Sequence, residues 1–243
     1  MEKDTHTHTH THTLTANNGP SVLFFGKHNC QYSQQALEHL KHLGFNVQSV
    51  LSKNRKESLP EDIGWWQGEY IICFRSYFLL PKSLIERATI AAINFHPAPA
   101  EYPGSGCLNW ALYDNAKVYG ATAHIMNEKI DNGAIVECRR FPVVPQDNVK
   151  TLLARAHLKT YDLILDITTG IALEGKAFLD KKLAESKNES WAGKARKMYE
   201  IDNLQVISTT CDKAELERVI RATYTPEFPP EIHLHGYKFV LKL

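Results

Sequence analysis

The sequence predicts an α/β protein in which helices flank a mostly parallel central sheet, followed by a small C-terminal helix–strand extension. Three observations lead to this prediction. Apolar segments of strand length alternate with helical patterns in the first half of the chain, a long amphipathic helix follows, and a polar linker separates that helix from a short tail. Alternating strands and helices are typical of a parallel sheet covered on its faces.

The first predicted elements form a strand–helix–strand unit. The segment SVLFFG (21–26) is apolar and ends in glycine, which is typical of a buried strand. Apolar residues then recur at helical spacing from Ala36 to Leu43, and Gly44 is a stop signal for the helix. NVQSVLS (46–52) is predicted as the next strand, so a parallel sheet begins here.

Two further buried strands are expected after a polar, irregular stretch at 53–69. They are YIICF (70–74) and TIAAINF (89–95). Between them, PKSLIERA (81–88) predicts a short helix with proline in its first turn.

The next part of the chain contains one short helix, two strands and one long helix. CLNWALYDN (107–115) is predicted to be helical, and GATAHIM (120–126) and AIVECRRFPV (134–143) are predicted as strands. A long helix begins at about residue 148. Its apolar face is formed by Val149, Leu152, Leu153, Ala156, Leu163, Ile164 and Ile167.

Composition divides the chain into four predicted segments: a tail at 1–20, the main α/β domain at 21–185, a linker at 186–200 and an extension at 201–243. The His/Thr-rich tail is typical of a purification tag or a disordered arm, with a native metal-binding arm as the alternative. It is left out of the fold.

The extension contains one helix and one strand. DKAELERVIRA (212–222) starts with Asp212 and Glu215 at capping-box spacing. GYKFVL (236–241) is predicted as the closing strand.

Composition also excludes several classes of protein. The 243 residues carry a net charge of +1, so no strong field attracts nucleic acid or an acidic membrane. No run of about 18 apolar residues predicts a membrane span. Five scattered cysteines without a CxxC pair indicate reduced thiols in the cytoplasm and argue against a disulfide framework or a zinc site. We therefore expect a cytoplasmic protein with no metal, no nucleic acid and no membrane as a partner.

The chemistry is predicted at the end of one strand. Asn94 and His96 lie directly before a turn rich in proline and glycine, and Asp131 lies in the turn between two later strands. Ligands of open parallel sheets bind beyond the carboxyl ends of strands, so the three residues can share a cleft. The three residues offer an amide donor, an ionisable imidazole and a carboxylate that raises the imidazole pKa. These groups suit a reaction in which a carbonyl becomes a tetrahedral oxyanion and an amine loses a proton. GxGxxG is missing after the first strand, which argues against ordinary dinucleotide binding.

Residues 93–136 resemble the core signature of the formyltetrahydrofolate-dependent formyltransferases. Members of that family have Asn-x-His, a Pro/Gly-rich turn, a Gly-x-Thr-x-His strand and an acidic-x-x-Asp-x-Gly loop. The corresponding residues are Asn94-Phe95-His96, Tyr102-Pro103-Gly104, Gly120-Ala121-Thr122-Ala123-His124 and Glu128-Lys129-Ile130-Asp131-Asn132-Gly133. The resemblance implies a Rossmann-like formyltransferase fold for 21–185 and 10-formyltetrahydrofolate as the co-substrate.

The resemblance also implies roles for individual residues. Asn94 and protonated His96 would hold the oxyanion formed when an amine attacks the formyl carbon, and Asp131 would keep His96 charged and help to remove the amine proton. The segment CFRSYFLLP (73–81) resembles the folate-side loop of the family. Contacts to the pterin, mostly from backbone groups, are implied at Phe78, Leu80, Met126, Glu128, Ile130 and Asp131. Contacts to the acceptor are implied at Pro103, Gly104 and Trp110.

Three acceptor classes remain open: a nucleotide-linked amino sugar, the methionyl-tRNA initiator and a purine precursor of the phosphoribosylglycinamide type. PAPAEYPG (97–104) replaces the Ser-Leu-Leu-Pro-type stretch of the transfer-RNA enzymes, and the low net charge argues against tRNA. The tail resembles the short extension of sugar N-formyltransferases. We therefore expect transfer to an amino sugar, for example a dTDP- or GDP-4-amino-4,6-dideoxyhexose, for surface polysaccharide synthesis. A non-catalytic folate-binding module is the remaining alternative, and the apolar strand of the tail could pair in a homodimer.

Other residues allow two interpretations each. His124, expected in mid-strand, orients the cleft or is a hydrogen-bonded core histidine. Cys107 could act as the nucleophile of a hydrolase, but we expect it inside a helix, away from a setting that lowers a thiol pKa. Arg75 meets a phosphate or the glutamate tail of folate, or it is a solvated charge. Trp110 and the pair Trp65-Trp66 stack a nucleobase or belong to the core.

Overall fold

The computed structural model describes residues 19–243, so nearly all of the histidine-rich tail lies outside the described residues. Eight strands are found in this range: β1 Ser21–Lys27, β2 Asn46–Ser52, β3 Gly68–Phe74, β4 Ala88–His96, β5 Val118–Ile125, β6 Ile135–Pro142, β7 Glu231–Leu234 and β8 Tyr237–Val240. The α-helices of the same range are α1 Gln31–His42, α2 Lys82–Ile85, α3 Cys107–Tyr113, α4 Val149–Glu174, α5 Lys176–Glu185, α6 Met198–Leu204 and α7 Lys213–Thr223.

The central sheet has six strands in the order β2-β1-β3-β4-β5-β6. The first four are parallel, whereas β5 and β6 are antiparallel to their neighbours. Helices cover both faces, so the structure confirms the predicted mixed α/β fold with a mostly parallel sheet. β7 and β8 form a separate hairpin in the C-terminal extension.

The pairing of β4 with β5 is short and determines where the following loop lies. The two strands overlap only from Ile93↔Ile125 to His96↔Thr122. β5 therefore ends beside Ile93, and the 126–134 connection starts next to Ala92, whose carbonyl oxygen accepts the N–H of Met126 at 2.7 Å. Because the pair is antiparallel, the turns after β4 and β5 leave from opposite ends of this overlap, and the 126–134 connection folds back to reach the turn after β4.

Apolar residues of the parallel strands form two core layers. One layer lies under α1 and α4 and contains residues such as Phe24, Ile72 and Ile93. The other layer contains Phe25 and Ile71, and Phe78, Leu80 and Met126 pack against it. Because side chains alternate along a strand, neighbouring residues of β1 and β3 belong to opposite layers.

A third cluster joins the C-terminal extension to the main domain. It contains Leu108 and Leu112 of α3, Leu152 of α4 and Ala222 of α7. Asn109 Nδ2 donates to the carbonyl of Ala222 at 2.7 Å, which adds a polar link between α3 and α7. The boundaries of the four segments remain a prediction.

The starts of α4 and α7 follow from their capping residues. The side chain of Asn148 accepts from the backbone N–H of Thr151 while the Thr151 side chain accepts from the backbone N–H of Asn148, a reciprocal capping box. Asp212 accepts from the backbone N–H of Glu215, as its spacing predicts. Such caps stabilise a helix by about 1 kcal/mol each.

The structure differs from the predicted elements in several places. The strands and the long helix lie where the pattern predicts, but α5, α6 and β7 were not anticipated, and a 3₁₀ helix (Glu61–Trp65) occupies part of the irregular stretch. Pro81 caps α2 instead of entering its first turn. α5 directly continues α4 past Gly175, whose positive φ of 61° turns the chain and allows a second short helix. Within residues 19–243, no helix is long and apolar enough to cross a membrane.

Candidate active site

The structure brings Asn94, His96 and Asp131 together with a fourth residue, His124. Asn94 pairs directly with His124 across β4 and β5, and His96 ends β4. Asp131 reaches them from the β5–β6 connection. His124 lies inside β5, as expected, near the carboxyl end of the strand.

Asp131 is the centre of this cluster. Its Oδ2 lies 3.3 Å from His96 Nδ1 and accepts the backbone N–H of Gly104 at 2.8 Å. Its Oδ1 lies 3.3 Å from His124 Nε2 and 3.5 Å from Asn94 Nδ2. Both carboxylate oxygens therefore have partners. This is the arrangement that allows a carboxylate to remain charged in a buried place.

His96 is held as an imidazolium. Its Nε2 faces the carbonyl oxygen of Tyr102 at 3.0 Å and its Nδ1 faces Asp131, and since both partners can only accept, both ring nitrogens carry a proton. Burial disfavours the charged ring, but the Asp131 carboxylate, Cys107 and the Tyr102 carbonyl raise the pKa of His96 to about 9. The site thus contains a buried cation at neutral pH.

The same contacts act on Asp131 in the opposite sense. Burial raises its pKa, but His96, His124 and the Gly104 N–H more than offset this and lower the pKa of Asp131 to about 2. His96 is 6% and Asp131 7% exposed. Asn94 is only half-buried, so its amide is the member of the cluster that an entering ligand meets first.

His124 is oriented by its own strand. Its Nδ1 lies 3.0 Å from the carbonyl oxygen of Ile125, which requires a proton on Nδ1. Nε2 is 3.1 Å from Asn94 Nδ2 and accepts from that amide when it is unprotonated. His124 therefore fixes which way the Asn94 amide points.

The backbone at two positions holds the cluster in place. Asp131 has a φ of 43°, in the left-handed region that non-glycine residues rarely adopt. Gly104 has a φ of 90°, and a Cβ on it would lie 2.4 Å from the carbonyl oxygen of Arg196. Only glycine fits there, and the Tyr102–Gly104 turn is thereby joined to the 192–196 segment. Ser105 N–H completes this junction by donating to Arg196 O at 2.9 Å.

Trp191 is part of the site, and the sequence analysis missed it. Its ring meets those of His96 and His124 edge-on, with centroids 5.9 and 5.0 Å apart. Its Nε1–H donates to the carbonyl of Gly133 at 2.8 Å, which ties the ring to the loop that carries Asp131. No local pattern marks Trp191, because it lies in a polar segment some sixty residues beyond that loop.

Cys107 occupies a different place from the one expected. It is the first residue of α3, not an interior one, and its thiol contacts the His96 imidazole. Burial raises the pKa of Cys107, but the contact with His96 outweighs it, so that the pKa is lowered. The left-handed conformation of Gly106, with a φ of 67°, starts the helix at this point.

The residues expected at the pterin lie along one side of the cluster. Phe78, Leu80 and Met126 pack half-buried against the second core layer, whereas Glu128 and Ile130 are exposed on the same loop as Asp131. Within residues 19–243, the backbone groups of Glu128 and Ile130 make no hydrogen bond. An apolar wall beside free backbone donors and acceptors fits a flat heterocycle with a hydrogen-bonding edge.

A cavity of about 240 Å³ lies beside Tyr102 and Cys107, two residues that contact His96. Pro103, Cys107, Trp110 and Arg196 line it, so two of the three residues expected at the acceptor are present, while Gly104 acts through its backbone. The guanidinium of Arg196 lies 3.9 Å from the Trp110 ring centroid. Trp110 Nε1 is buried and has no hydrogen-bond partner within residues 19–243, which is unusual for an indole.

The remaining tryptophans and Arg75 lie elsewhere. Trp65 is 82% exposed, and Trp66 packs against the second core layer. Arg75 directly follows β3 and lies 5.9 Å from the Tyr32 ring centroid.

Comparisons with known proteins also identify formyltransferases as similar to this chain. Residues 10–168 match the formyl transferase family. The GDP-perosamine N-formyltransferase of Brucella melitensis is 26% identical over 193 residues, which cover 77% of this chain and 69% of that protein. The methionyl-tRNA formyltransferase of Leptospira interrogans is 25% identical over 181 residues, which cover 74% of this chain but 54% of that protein.

Solved structures resemble this fold over most of its length. A sugar N-formyltransferase from a Shewanella species has a TM-score of 0.69 at 16% identity, over 92% of this chain and 96% of that one. The N-formyltransferase from Helicobacter canadensis, solved with folinic acid and dTDP-3-aminofucose, has a TM-score of 0.64 at 15% identity, over 88% and 84%. At such identities the likeness concerns the fold. The family match, however, covers more than half of the chain and includes Asn94, His96, His124 and Asp131, and this chain therefore belongs to the formyl transferase family.

Proposed function

We propose that this protein transfers a formyl group from 10-formyltetrahydrofolate to the amine of a nucleotide-linked amino sugar, in a pathway that builds a surface polysaccharide. The observation that carries the proposal is the buried Asp131–His96 ion pair beside the half-exposed Asn94 amide. A fixed cation next to an amide donor stabilises negative charge that develops on a carbonyl oxygen.

In the proposed reaction, the neutral amine attacks the formyl carbon and the formyl oxygen becomes an oxyanion. Asn94 donates to that oxygen, and the charged His96 stabilises it electrostatically. The Asp131 carboxylate accepts the proton of the attacking amine. As the bond between the formyl carbon and N10 breaks, N10 takes up this proton and tetrahydrofolate leaves. The net change is one formyl group exchanged for one proton.

The donor is supported by the surface beside Asp131. Phe78, Leu80 and Met126 would flank the pterin, and the free backbone groups of Glu128 and Ile130 would meet its hydrogen-bonding edge. The Helicobacter canadensis relative was solved with folinic acid, a reduced and formylated folate.

The acceptor is supported by the cavity beside His96. Lys194 and Arg196 alternate there with Glu101 and Asp114, so the charges balance. Balanced polar groups suit the hydroxyl groups of a sugar. GDP-perosamine and dTDP-3-aminofucose, which the names of two relatives mention, are amino sugars carried on nucleotides.

The test is a panel of amines incubated with 10-formyltetrahydrofolate, read by release of tetrahydrofolate and by the mass gain of one formyl group. The panel contains GDP- and dTDP-linked amino sugars, phosphoribosylglycinamide and methionyl-tRNA. We expect turnover with at least one nucleotide-linked sugar. Turnover only with methionyl-tRNA or phosphoribosylglycinamide would assign another acceptor, and tight folate binding without any turnover would indicate a binding module.

The proposal includes a homodimer and a cytoplasmic location. The β7–β8 hairpin exposes Tyr237, Phe239 and Val240, and an apolar patch of this kind is typical of a contact surface. All five cysteines are free thiols, which fits a reducing compartment. Sedimentation equilibrium should find a dimer and Phe239→Ser should weaken it, whereas a wild-type monomer at micromolar concentration would refute the dimer.

A further inference from the structure

Three basic residues lie at or beyond the carboxyl ends of neighbouring strands: Lys27 at the end of β1, Arg55 after β2 and Arg75 after β3. Within residues 19–243, Lys27, Arg55 and Arg75 form no ion pair with a carboxylate, although most other basic clusters of the fold do. Lys27 and Arg55 lie 4.9 and 5.2 Å from the centroid of the same Tyr77 ring. The cluster is therefore a concentration of unbalanced positive charge at the functional edge of the sheet.

Arg75 has an unusual backbone conformation directly after β3. Its φ of 61° is left-handed, which costs an L-residue about 1–2 kcal/mol. The turn directs the side chain towards α1 and α4, where it lies 5.9 Å from the Tyr32 ring centroid. A strained non-glycine residue at a strand end is typical of a functional position.

His157 of α4 shows that the charges of Lys27 and Arg75 converge. Burial and the two cations together lower the pKa of His157 to about 4. No carboxylate acts on this ring to oppose them. The surface around Lys27 and Arg75 is thus positive, with a neutral imidazole beside it.

The position of the cluster relative to the reacting centre suits an anionic group of the acceptor. Phe25, Cys73 and Asn94 are aligned in register across β1, β3 and β4, so Lys27, Arg75 and His96 follow at the same level. Adjacent strands are ~4.8 Å apart, which places the cluster roughly 5–10 Å from His96. A hexose ring with its first phosphate spans a comparable length.

From this geometry we propose that Lys27 and Arg75, with Arg55 at the rim, bind the diphosphate of the acceptor. The proposal rests on the function proposed above. The sugar then lies against the charge-balanced cavity and the diphosphate against the unbalanced cations. Phosphate oxygens suit Lys and Arg side chains, and charge-assisted hydrogen bonds of this kind are the stronger ones.

Binding measured without turnover keeps this proposal separate from the proposed function. Titration calorimetry with GDP, dTDP and inorganic pyrophosphate compares wild type with Arg75→Gln and Lys27→Gln. We expect each variant to weaken nucleoside diphosphate binding about tenfold or more, and Arg75→Lys to retain part of it. The matched control is Arg87→Gln, which removes the same charge just before β4, at the opposite edge of the sheet. This control should bind like wild type.

Kinetics then identify which substrate uses the cluster. With an accepted nucleotide-linked sugar, Arg75→Gln and Lys27→Gln should raise the KM of the acceptor about tenfold or more and leave that of the donor unchanged. A higher KM for the donor alone would assign the cluster to the folate tail and overturn the proposal. Wild-type diphosphate binding by both variants would also overturn it, and so would a wild-type protein that binds no diphosphate. If the wild type binds diphosphate but turns over no amine, and the variants lose diphosphate binding, the result would support the diphosphate site and refute the proposed function. Arg75 is in a strained turn, so Arg75→Gln could fail to fold. In that case Lys27→Gln alone tests the proposal.

Discussion

His96 Nδ1 lies 3.3 Å from Asp131 Oδ2, and each side chain is more than nine-tenths buried. A buried ion pair is expensive to desolvate and is retained only where its geometry and additional hydrogen bonds compensate. Here the N–H of Gly104 and the carbonyl oxygen of Tyr102 provide those bonds. The pair therefore places a fixed positive charge where the proposed chemistry develops a negative one.

Asp131→Asn should lower kcat by about a hundredfold or more while the protein remains folded. The substitution keeps the shape of the side chain but removes the charge that holds the pKa of His96 at about 9, so that pKa should fall. NMR titration of the His96 ring and steady-state kinetics measure the two effects. Wild-type kcat in this variant would remove Asp131 from the mechanism.

Asn94→Ala should lower kcat about a hundredfold, which is the usual loss for one oxyanion donor. The KM of either substrate should change little, because the amide acts mainly in the transition state. Single-turnover kinetics with saturating donor separate the chemical step from binding. If only KM rises, Asn94 is a binding residue and another donor must stabilise the oxyanion.

The pH dependence of stability should reflect the same ion pair. The pKa of His96 rises from 6.5 to about 9 on folding, so its contribution is fully present below pH 6.5 and is lost as the pH rises through 9. The pKa of Asp131 falls from 3.8 to about 2, so its contribution is present above pH 3.8 and is lost as the pH falls through 2.

Urea unfolding of wild type and Asp131→Asn at pH 5.5 and pH 9.5 tests this expectation. The difference in unfolding free energy between the two proteins should be large at pH 5.5 and smaller at pH 9.5. An equal difference at both values would mean that His96 does not carry the charge assigned to it.

Gly104→Ala should destabilise the protein and reduce kcat. The new Cβ would meet the Arg196 carbonyl at 2.4 Å, and the turn would have to move the N–H that Asp131 accepts. Gly193→Ala is the matched control, because Gly193 also has a positive φ but nothing lies within 4 Å of its Cβ position. The control isolates the conformational cost of about 1–2 kcal/mol. Equal urea midpoints for the two variants would contradict a role for the close approach.

Trp191→Ala should lower kcat strongly and lower the free energy of unfolding only slightly. The ring covers the edges of His96 and His124, and its removal admits water next to the ion pair, which weakens the interaction. Trp191→Phe should retain most of the activity but lose the hydrogen bond to Gly133 O. Trp65→Ala, at an 82% exposed position, is the control and should behave like wild type. A Trp191→Ala variant with normal kcat would make this ring a structural feature only.

Local pattern was enough to predict most of the sheet. β1, β3 and β4 contain apolar runs bounded by glycine or polar residues, and α4 has a single apolar face. These signals arise from residues close in sequence, since burial of a strand or helix face leaves a mark every two or every three to four residues. α6 and β7 are only seven and four residues long, and α5 follows directly on α4, so their apolar residues form too short a pattern to indicate a separate element.

Sequence alone thus determined the alternating α/β order, the position of Asn94 and His96 at a strand end and the family that residues 93–136 resemble. Tertiary structure decided that His124 faces Asn94, that Cys107 starts a helix against His96, that Trp191 covers the imidazoles and that Lys27 and Arg75 both act on His157. The physical reason is that strand register and the path of a loop depend on pairing between distant segments. A window of neighbouring residues contains no information about that pairing.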